Sequence, residues 1–514
     1  MKRVKKIKNT IMLHPIMSFI ILMAVTILLS GILDLFDVSV NYSKINPKTG
    51  AVETTLVTIE SLLNLSGVKY IFSNTVSNFV SFAPLSMLLI LLMGISMMDE
   101  SGFLDTLFFL VTRKMPKYLV TFIVSVLCIA VSITGDISFI IMIPFAALLF
   151  KYGKRNPVIG IVHAFACTGL GTGIHAIISS VDSALLSTTT QSANLISTSY
   201  TIGSWSTVWI MLLAFVAGSI ILTYVTEKIT APALAKYEVD ENEIIEDKDY
   251  LTNREKRGLL FAFIGATIYM IIFIYNIIPG LPFGGNLLDY SQARYIDKLF
   301  GAQSFFNSGF VFVVTLLFFI CGLLYGIGAK KISNHRELCN FLSHSLDDIG
   351  KIIVLLFFAS TFISIIKYTN IGEVFTAFLA NVVNYSGFTG IPLMLLVFFI
   401  GALSTLVLPS AVTRWQILSA SVVPSMMTAG FTPEAAQLVF TAGSSLTYIL
   451  TPIMAYYVIY ISYIEKYNKE GTGIRKGNSY LLPYSIGITA MWIILLLLFY
   501  VVKIHIGVHT AMII

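Results

Sequence analysis

The chain has 514 residues, of which 56% are hydrophobic and only 12% are charged, and its formal net charge is +6. A soluble domain carries roughly a quarter of its residues as charges, so this composition argues against a soluble protein. The apolar residues lie in runs of about 18 or more, long enough to cross about 30 Å of hydrocarbon, which predicts an integral membrane protein. The basic residues lie in short segments between those runs, which indicates membrane orientation signals and argues against a nucleic-acid partner.

The first apolar run follows a basic amino terminus, MKRVKKIKNTIMLHP. The run is too long for a signal peptide and no small-residue cleavage site ends it, so we expect a retained first span. The same criteria predict about nine full spans in the lipid bilayer. They are 13–36, 71–98, 157–190, 205–227, 258–278, 304–328, 351–380, 433–464 and 482–502.

The basic residues are distributed unequally between the two sides of these spans. Of 33 lysines and arginines, 25 lie in segments that the spans place on one side. The positive-inside rule then predicts a cytoplasmic amino terminus and an extracytoplasmic carboxyl terminus, in the cell inner or plasma membrane. The segments are 1–12, 113–117, 151–155, 228–257, 330–351 and 465–476.

Residues 118–150 form an apolar stretch with basic clusters at both ends. A single span would place one cluster on the wrong side, whereas two short arms that meet at Thr134-Gly135-Asp136 return to the same side. We therefore predict a re-entrant hairpin. Its tip must be buried in protein or face a water-filled cavity, because lipid cannot satisfy free backbone groups.

A second pair of short apolar arms lies at 391–428 and is interrupted at Val407-Leu408-Pro409-Ser410. Each hairpin is followed by a long span with a polar, glycine-rich break, at 169–182 and at 441–445. The loops place the two hairpins in opposite orientations, which predicts an inverted-repeat transporter. The predicted halves are 1–227, with hairpin 118–150 and broken helix 157–190, and 258–514, with hairpin 391–428 and broken helix 433–464. A cytoplasmic linker, 228–257, joins them.

Asp136 lies at the tip of the first hairpin. An ionisable group inside a span costs roughly 2.5–3.5 kcal/mol on insertion scales, so it calls for a partner or a role. One interpretation is a cation or proton site near the midplane. The other is a carboxylate that caps the returning helix by accepting backbone N–H groups near Ser138. The two are compatible.

Asp182 follows His175 by seven residues in the first broken helix. That spacing covers two helical turns and would place both side chains on one face. A carboxylate near an imidazole can share or relay a proton at neutral pH, which predicts a coupling site. The alternatives are that Asp182 caps or lines a water-filled break, and that His175 is a hydrogen-bonded packing residue.

Arg414 is an arginine within the second hairpin and is followed by Trp415. A guanidinium fits a carboxylate in a two-pronged geometry, and the neighbouring indole can stack on an aromatic ring, so we predict substrate binding here. The alternative is that Arg414 snorkels to the external interface. Ser444, Ser445 and Thr447 offer further substrate contacts at the second break, although hydroxyls in such helices also bond to their own backbone.

The remaining polar residues do not predict a cofactor. The four cysteines are scattered, and His163 and Cys167, one turn apart, lack a third ligand nearby, so no metal site is expected. No Walker motif is present, which argues against ATP as the energy source. No nucleophile and base fall at adjacent helix positions, so we do not expect an enzyme.

Several of these segments together resemble the AbgT family, named for aminobenzoyl-glutamate transport. The similar segments occur in the family's order and cover nearly the whole chain. They are VSNFVSFAPLSMLLILLMGISMMDESGFL (76–104), TGDISFIIMIPFAALLF (134–150), HAIISSVDSALLSTTTQSA (175–193), SAVTRW (410–415), SSLTYILTP (444–452) and LLPYSIGITAMWIILLLLFY (481–500).

This resemblance implies nine spans, two opposed hairpins and a homodimer. It also implies proton-coupled transport of an aromatic or acyl-amino-acid carboxylate such as p-aminobenzoyl-glutamate, or export of sulfonamide-like antimetabolites. Asp136, Asp182 and Trp415 match family residues. The chain departs from the family at other positions. In the predicted breaks it has Thr441 and Ser444 in place of arginine and aspartate, and His175 and Tyr448 in place of asparagine. At the second hairpin tip it has Thr405 in place of asparagine, and Pro409 and Val412 in place of glycine and serine.

The sequence thus predicts a secondary transporter that binds a small carboxylate between the two hairpin tips and exchanges H⁺ at Asp182, Asp136 or His175. The alternative is a sodium-coupled carboxylate symporter of related architecture, in which carbonyls and the hydroxyls of Ser444 and Ser445 coordinate Na⁺. A channel is disfavoured because the polar residues cluster at two breaks instead of lining one span.

Overall fold

The computed structural model describes residues 13–45, 50–112, 115–174, 179–203, 205–234, 250–292, 295–301, 303–305, 309–347, 349–468 and 473–513. Within these ranges the chain is mostly helical. The helices are α1 Pro15–Leu35, α2 Leu65–Val80, α3 Ala83–Glu100, α4 Phe103–Thr112, α5 Lys117–Val131, α6 Ile137–Tyr152, α7 Pro157–Gly171, α8 Ser180–Ala193, α9 Val208–Val225, α10 Asn253–Ile277, α11 Tyr295–Phe300, α12 Phe310–Gly328, α13 His335–Ser343, α14 Gly350–Tyr368, α15 Ile371–Tyr385, α16 Gly390–Val407, α17 Ala411–Thr428, α18 Pro433–Tyr448, α19 Tyr457–Tyr467 and α20 Ile474–Val502.

Two small antiparallel sheets accompany the helices. Strands β1 Ser39–Ile45 and β2 Val52–Thr58 form a hairpin that packs on α15 and α17. Strands β3 His505–Gly507 and β4 Thr510–Ala511 lie near the carboxyl terminus. Helix α9 continues through a π-helical turn, Thr226–Thr230, to Ala233. The predicted linker therefore narrows to 234–252, and its residues 235–249 lie outside the described residues.

Nine helical segments of the described chain are long and apolar enough to cross a membrane, which confirms the predicted all-α membrane fold. Six of them correspond to the predicted spans 13–36, 71–98, 205–227, 258–278, 304–328 and 482–502. The nine segments are Pro15–Leu35, Leu65–Glu100, Lys117–Thr134, Val208–Ala233, Asn253–Ile277, Phe310–Gly328, Gly350–Tyr368, Gly390–Val407 and Ile474–Val502.

The other three predicted spans are each divided into two helices, and the predicted span 71–98 is likewise divided, at residues 81–82, into α2 and α3. The span 157–190 separates into α7, which ends at Gly171, and α8, which starts at Ser180, within the predicted break 169–182. The span 433–464 separates into α18 and α19 at residues 449–456. The position predicted for this second break, 441–445, was wrong, because those residues belong to α18. The prediction of one continuous span over 351–380 was wrong. Asn370 adopts a left-handed conformation with φ of 57° between the end of α14 and the start of α15, which interrupts the helix.

The remaining two apolar segments belong to the first arms of the predicted hairpins. Helices α5 and α6 are joined by a 3₁₀ turn, Ser132–Thr134, and by Gly135, whose φ of 71° suits glycine. The outer ends of these two helices meet, because Arg155 Nη1 donates to Thr121 Oγ1 at 2.9 Å. The chain therefore reverses at this turn and returns to its starting end.

The second pair, α16 and α17, reverses at residues 408–410. Its outer ends lie beside the same side chain of α20, Tyr500. The ring of Phe431, just after α17, lies 5.4 Å from the Tyr500 ring, and the Tyr500 hydroxyl lies close to Gly390 at the start of α16. In both pairs, therefore, the second helix returns toward the start of the first, as in a helical hairpin.

The outer ends of the two pairs lie at different positions along α20. Glu227, which pairs with Arg155 at 2.7 Å, follows Thr226, and the Thr226 and Tyr484 hydroxyls share a hydrogen bond of 2.8 Å. The first pair therefore opens near Tyr484, and the second opens near Tyr500, about 24 Å further along α20. This geometry agrees with opposed hairpins. Their re-entry into the membrane, and the division into two halves, stay predictions.

Close helix packing brings the second reversal to the second break. Helices α16 and α18 approach each other at Gly443, where an added Cβ would collide with the carbonyl oxygen of Phe398. Gly401 of α16 likewise faces the backbone of Phe440. Small residues permit such an approach in membrane proteins, where helices associate by packing. The tip of the second pair is thereby held against the end of α18.

Candidate functional site

The two reversals and the two breaks border one cavity of about 750 Å³. Pockets of this size accommodate drug-sized ligands. Four helix interruptions that are far apart in sequence therefore meet at one place. The residues in these interruptions, or in the adjoining helix ends, that line the cavity are Ser132, Thr134, Gly135, Asp136, Ile137, Thr172, Ser179, Val181, Asp182, Leu185, Val407, Leu408, Pro409, Ser410, Ala411, Val412, Thr413, Arg414, Thr441, Ser444, Ser445 and Tyr448.

Three helix N-termini contribute to this wall, those of α6, α8 and α17. The first backbone N–H groups of a helix have no partner within it and carry partial positive charge, so such ends attract anions. Ser410 caps α17 by accepting from the Thr413 N–H at 3.3 Å. The side chain of Asp136 does not cap α6. The wall is thus suited to an anionic group.

Asp136 is exposed to the cavity and accepts a hydrogen bond of 2.6 Å from the Tyr448 hydroxyl. Tyr448 belongs to the second break, so this contact joins the first reversal to the opposite half of the chain. The capping alternative for Asp136 is not what the structure shows, because its carboxylate bonds to Tyr448 instead of to the start of α6. The carboxylate remains accessible to a cation or a proton from the cavity.

Asp182 lines the same cavity and forms a capping box with Ser179 at the start of α8. Its Oδ2 accepts from the Ser179 N–H at 2.9 Å and from the Ser179 hydroxyl at 2.8 Å. The Asp182 carboxylate therefore fixes the first turn after the break. His175, the predicted partner of Asp182, lies outside the described residues.

Arg414 is buried, with 1% of its surface exposed, at the edge of the cavity. Snorkelling to an external interface therefore does not describe this residue. Its Nη1 donates to the Ser444 hydroxyl at 2.8 Å and to the Gly401 carbonyl at 3.1 Å. Its Nε has no hydrogen-bond partner, and no carboxylate of the described residues forms an ion pair with it. The guanidinium also lies 5.1 Å from the centre of the Phe440 ring.

Trp415 lies outside the cavity wall and is fully buried. Its ring stacks on Phe440 at 4.5 Å, and its Nε1 donates to the Thr189 hydroxyl at 2.8 Å. Thr189 in turn donates to Gln437 at 2.6 Å. The indole thus connects α17 with α8 and α18 and supports the ring over which Arg414 lies.

The three predicted hydroxyls of the second break differ in their access to the cavity. Ser444 and Ser445 line it, and both donate to backbone carbonyls of their own helix at 2.8 Å. The alternative of bonding to the local backbone is therefore seen, although the oxygen of Ser444 also accepts from Arg414. Thr447 is not part of the wall and donates to the Ala402 carbonyl at 2.6 Å.

A model of the "AbgT putative transporter family" matches residues 1–514. The chain belongs to the AbgT family. It is 26% identical over 494 residues to the p-aminobenzoyl-glutamate transport protein of Escherichia coli (strain K12), with 96% of this chain and 93% of that protein covered. The family membership that the sequence motifs suggested is confirmed.

Two solved structures are similar to this AbgT chain. One is MtrF of Neisseria gonorrhoeae, described with a class of antimetabolite efflux pumps, which is 29% identical with a TM-score of 0.50 and 96% of each chain covered. The other is the YdaH transporter of Alcanivorax borkumensis, 25% identical with a TM-score of 0.48, covering 96% of this chain and 100% of that one. AbgT proteins are transporters, so the chain is a multi-pass membrane transporter and not an enzyme.

Sequence reasoning missed part of the cavity in this AbgT transporter. Helices α14 and α15 supply another wall, and α11 adds Phe300. The sequence does contain a signal for this wall. Two charged residues, Lys367 and Glu373, lie on either side of Asn370 in an otherwise apolar run. Two tyrosines of the second break, Tyr448 and Tyr456, also line the cavity.

Proposed function

We propose that this protein is a proton-coupled secondary transporter of an aromatic or acyl-amino-acid carboxylate such as p-aminobenzoyl-glutamate. The observation that carries the proposal is the convergence of two reversals and two breaks on one cavity, where Arg414, Asp136 and Asp182 line the wall that these interruptions form. Transport requires a site that is reachable from either side in turn, and interrupted helices at the middle of the bundle supply such a site. The transported class agrees with the substrate for which the relative in Escherichia coli is named.

The substrate carboxylate pairs with Arg414. Its Nε is a buried donor without a partner, and a buried unsatisfied donor costs about 1–3 kcal/mol, which an incoming anion would recover. Because only 1% of Arg414 is exposed, the reversal at 408–410 shifts as the anion binds. The N-termini of α17, α8 and α6 add favourable partial charge.

The aromatic part of the substrate lies against the tyrosines of the second break. Tyr448 and Tyr456 line the cavity and belong to an aromatic group, since the Tyr456 ring stacks on Phe139 at 6.1 Å. Aromatic rings gain about 0.5–1.5 kcal/mol from such pairs beyond the area that they bury. The same surface would accept the ring of a sulfonamide, so export of such antimetabolites is the second form of the proposal.

The coupling proton binds at Asp136 or Asp182. Asp136 faces the cavity and can take a proton without disturbing a helix. Protonation of Asp182 would weaken the two hydrogen bonds that Ser179 donates to it, and would loosen the start of α8. Protonation and the shape of the first break are thereby linked. We place the protein, as a homodimer, in the cell inner or plasma membrane with a cytoplasmic amino terminus.

Uptake into proteoliposomes tests this function. The purified protein is reconstituted, and uptake of radiolabelled p-aminobenzoyl-glutamate is measured under an imposed pH gradient, an imposed Na⁺ gradient or no gradient. We expect accumulation above equilibrium with the pH gradient alone, abolished by a protonophore, and none in protein-free liposomes. Accumulation that requires Na⁺ would identify sodium, instead of the proton, as the coupling ion. The absence of both uptake and exchange for every aromatic carboxylate tested would overturn the proposal.

A further inference from the structure

The cavity wall formed by α14 and α15 contains a second cation, Lys367, that the site at Arg414 does not use. Lys367 lies in the last turn of α14, next to the apolar Ile363 and Ile366 of the same wall. Its side chain is exposed, and it forms no ion pair or hydrogen bond with any residue that the structure describes. An ammonium without a partner at a cavity surface is available to an anion within the cavity.

The other charges around Lys367 do not neutralise it. Glu373, in the first turn of α15, lines the same wall but is not within ion-pair distance of Lys367. Asn370 lies between them and is held by its side-chain donation to the Thr58 carbonyl at 3.2 Å. Asp136 and Asp182 are engaged with Tyr448 and Ser179. The cavity therefore presents two separate cations, one buried and one facing solvent.

We propose that Lys367 binds the second carboxylate of a dicarboxylate substrate and thereby selects N-acyl-glutamates over N-acyl-amino acids with one carboxylate. This inference rests on the proposed function, in which Arg414 holds the first carboxylate. A cavity of about 750 Å³ has room for an acyl-glutamate whose two carboxylates extend toward different walls. A lysine suits the outer position, because a flexible, hydrated point charge adapts to a carboxylate near solvent.

A purely structural role for Lys367 has different consequences. A lysine in the last turn of a helix interacts favourably with the partial negative charge of the helix end. Loss of that interaction would alter stability, or the affinity for every ligand alike. Only a direct contact would alter affinity according to whether the second carboxylate is present.

Two ligands of nearly the same shape separate these roles. In p-aminobenzoyl-glutamine, a neutral amide replaces the side-chain carboxylate of p-aminobenzoyl-glutamate. Binding of both to the purified full-length protein is measured by calorimetry for the wild type, Lys367→Gln, Lys367→Arg and Lys44→Gln. Lys44 is an exposed lysine of β1 that does not line the cavity and serves as the matched control.

We expect Lys367→Gln to weaken binding of the glutamate ligand about tenfold and of the glutamine ligand less than twofold, with Lys367→Arg close to the wild type. Lys44→Gln should change neither. Equal weakening of both ligands, or no change with either, would overturn the inference. Equal affinity of the wild type for both ligands would also overturn the inference, without any variant being needed. Failure of the wild type to bind either ligand would instead contradict the proposed function.

Discussion

Arg414 illustrates how a buried charge is maintained in this cavity wall. Removal of an isolated ion from water costs on the order of several kcal/mol, and the structure offsets that cost with neutral acceptors instead of a carboxylate. The acceptors are the Gly401 carbonyl, the Ser404 and Ser444 hydroxyls and the Pro409 carbonyl, at 2.8–3.4 Å. The positive charge is therefore solvated but not neutralised, and its Nε remains unpaired.

Replacement of Arg414 by lysine should weaken substrate binding. Lysine keeps the charge but loses the planar fork, so it cannot satisfy the four present acceptors and a carboxylate together. We expect Arg414→Lys to raise the KM for p-aminobenzoyl-glutamate about tenfold, and Arg414→Ala to raise it further. Initial uptake rates in proteoliposomes, with the Tm as a folding check, measure the effect. An unchanged KM in a well-folded variant would leave Arg414 a structural residue.

Ser444 decides whether Arg414 is open to an external anion. Its hydroxyl lies 2.8 Å from Nη1 of Arg414. Ser444→Asp would place a carboxylate against the guanidinium and form an internal ion pair. We expect it to weaken substrate binding about tenfold while keeping or raising the Tm, because the buried charge gains a partner.

Ser444→Asn is the matched control for this change, since it adds similar volume without charge. Calorimetry with p-aminobenzoyl-glutamate compares the two variants with the wild type. Equal losses in both variants would point to crowding at the break instead of competition for Arg414. Tighter binding in Ser444→Asp would show that the substrate group near Arg414 is not an anion.

At the scale of elements, the two helical reversals have their tips at the cavity and their outer ends at different positions along α20, near Tyr484 and near Tyr500. The first opens where Arg155 contacts Thr121 and Glu227, and the second opens beside Tyr500. Interrupted backbone is stable within a membrane only where protein or water satisfies its polar groups. The shared cavity supplies that environment to both tips.

Accessibility of single cysteines tests the opposed orientation. In a variant without the four native cysteines, Lys117→Cys and Lys151→Cys lie at the outer ends of the first pair, and Phe388→Cys and Thr428→Cys lie at those of the second. We expect a membrane-impermeant maleimide to label the first two only from the cytoplasm and the last two only from outside. Labelling of Lys117→Cys and Lys151→Cys from different faces would mean that 118–150 crosses the membrane, and would remove the inverted repeat.

At the scale of the whole molecule, contacts between distant segments bring the site together. The Asp136 to Tyr448 bond joins residues 312 apart in sequence, and the Trp415 to Thr189 bond joins residues 226 apart. The first connects the first reversal with the end of α18, and the second connects α17 with α8. The carboxylate of Asp136 is thereby in direct contact with a helix of the second half of the chain.

The sequence predicted most of the interruptions but not their contacts. Polar and glycine residues within apolar runs identified the first break and both reversals, because lipid tolerates no free backbone groups. The same signal misplaced the second break, since residues 441–445 are helical and the chain leaves the helix only after Tyr448. The division at Asn370 was missed, because no proline marks it and the apolar pattern does not predict the left-handed φ of Asn370. Burial of Arg414 and the bond from Tyr448 to Asp136 depend on tertiary packing, which no local pattern encodes.

Coupling of substrate accumulation to proton movement is a property of the whole molecule, and substitution of Asp182 tests it. Asparagine has almost the same shape and its oxygen can still accept from Ser179, so Asp182→Asn should preserve the start of α8, but it cannot release a proton. We expect Asp182→Asn to reduce pH-driven accumulation of p-aminobenzoyl-glutamate to the level of protein-free liposomes. Exchange of internal for external substrate should persist, because it needs no net proton movement.

The measurement compares Asp182→Asn, Asp136→Asn and the wild type at matched incorporation, with exchange as the internal control for folding. Loss of accumulation in Asp182→Asn alone would place the proton at the capping box, where its binding loosens the first break. Loss in Asp136→Asn alone would place it at the bond to Tyr448, which joins the two halves. If both variants accumulate substrate with the wild-type pH dependence, neither carboxylate carries the coupling proton.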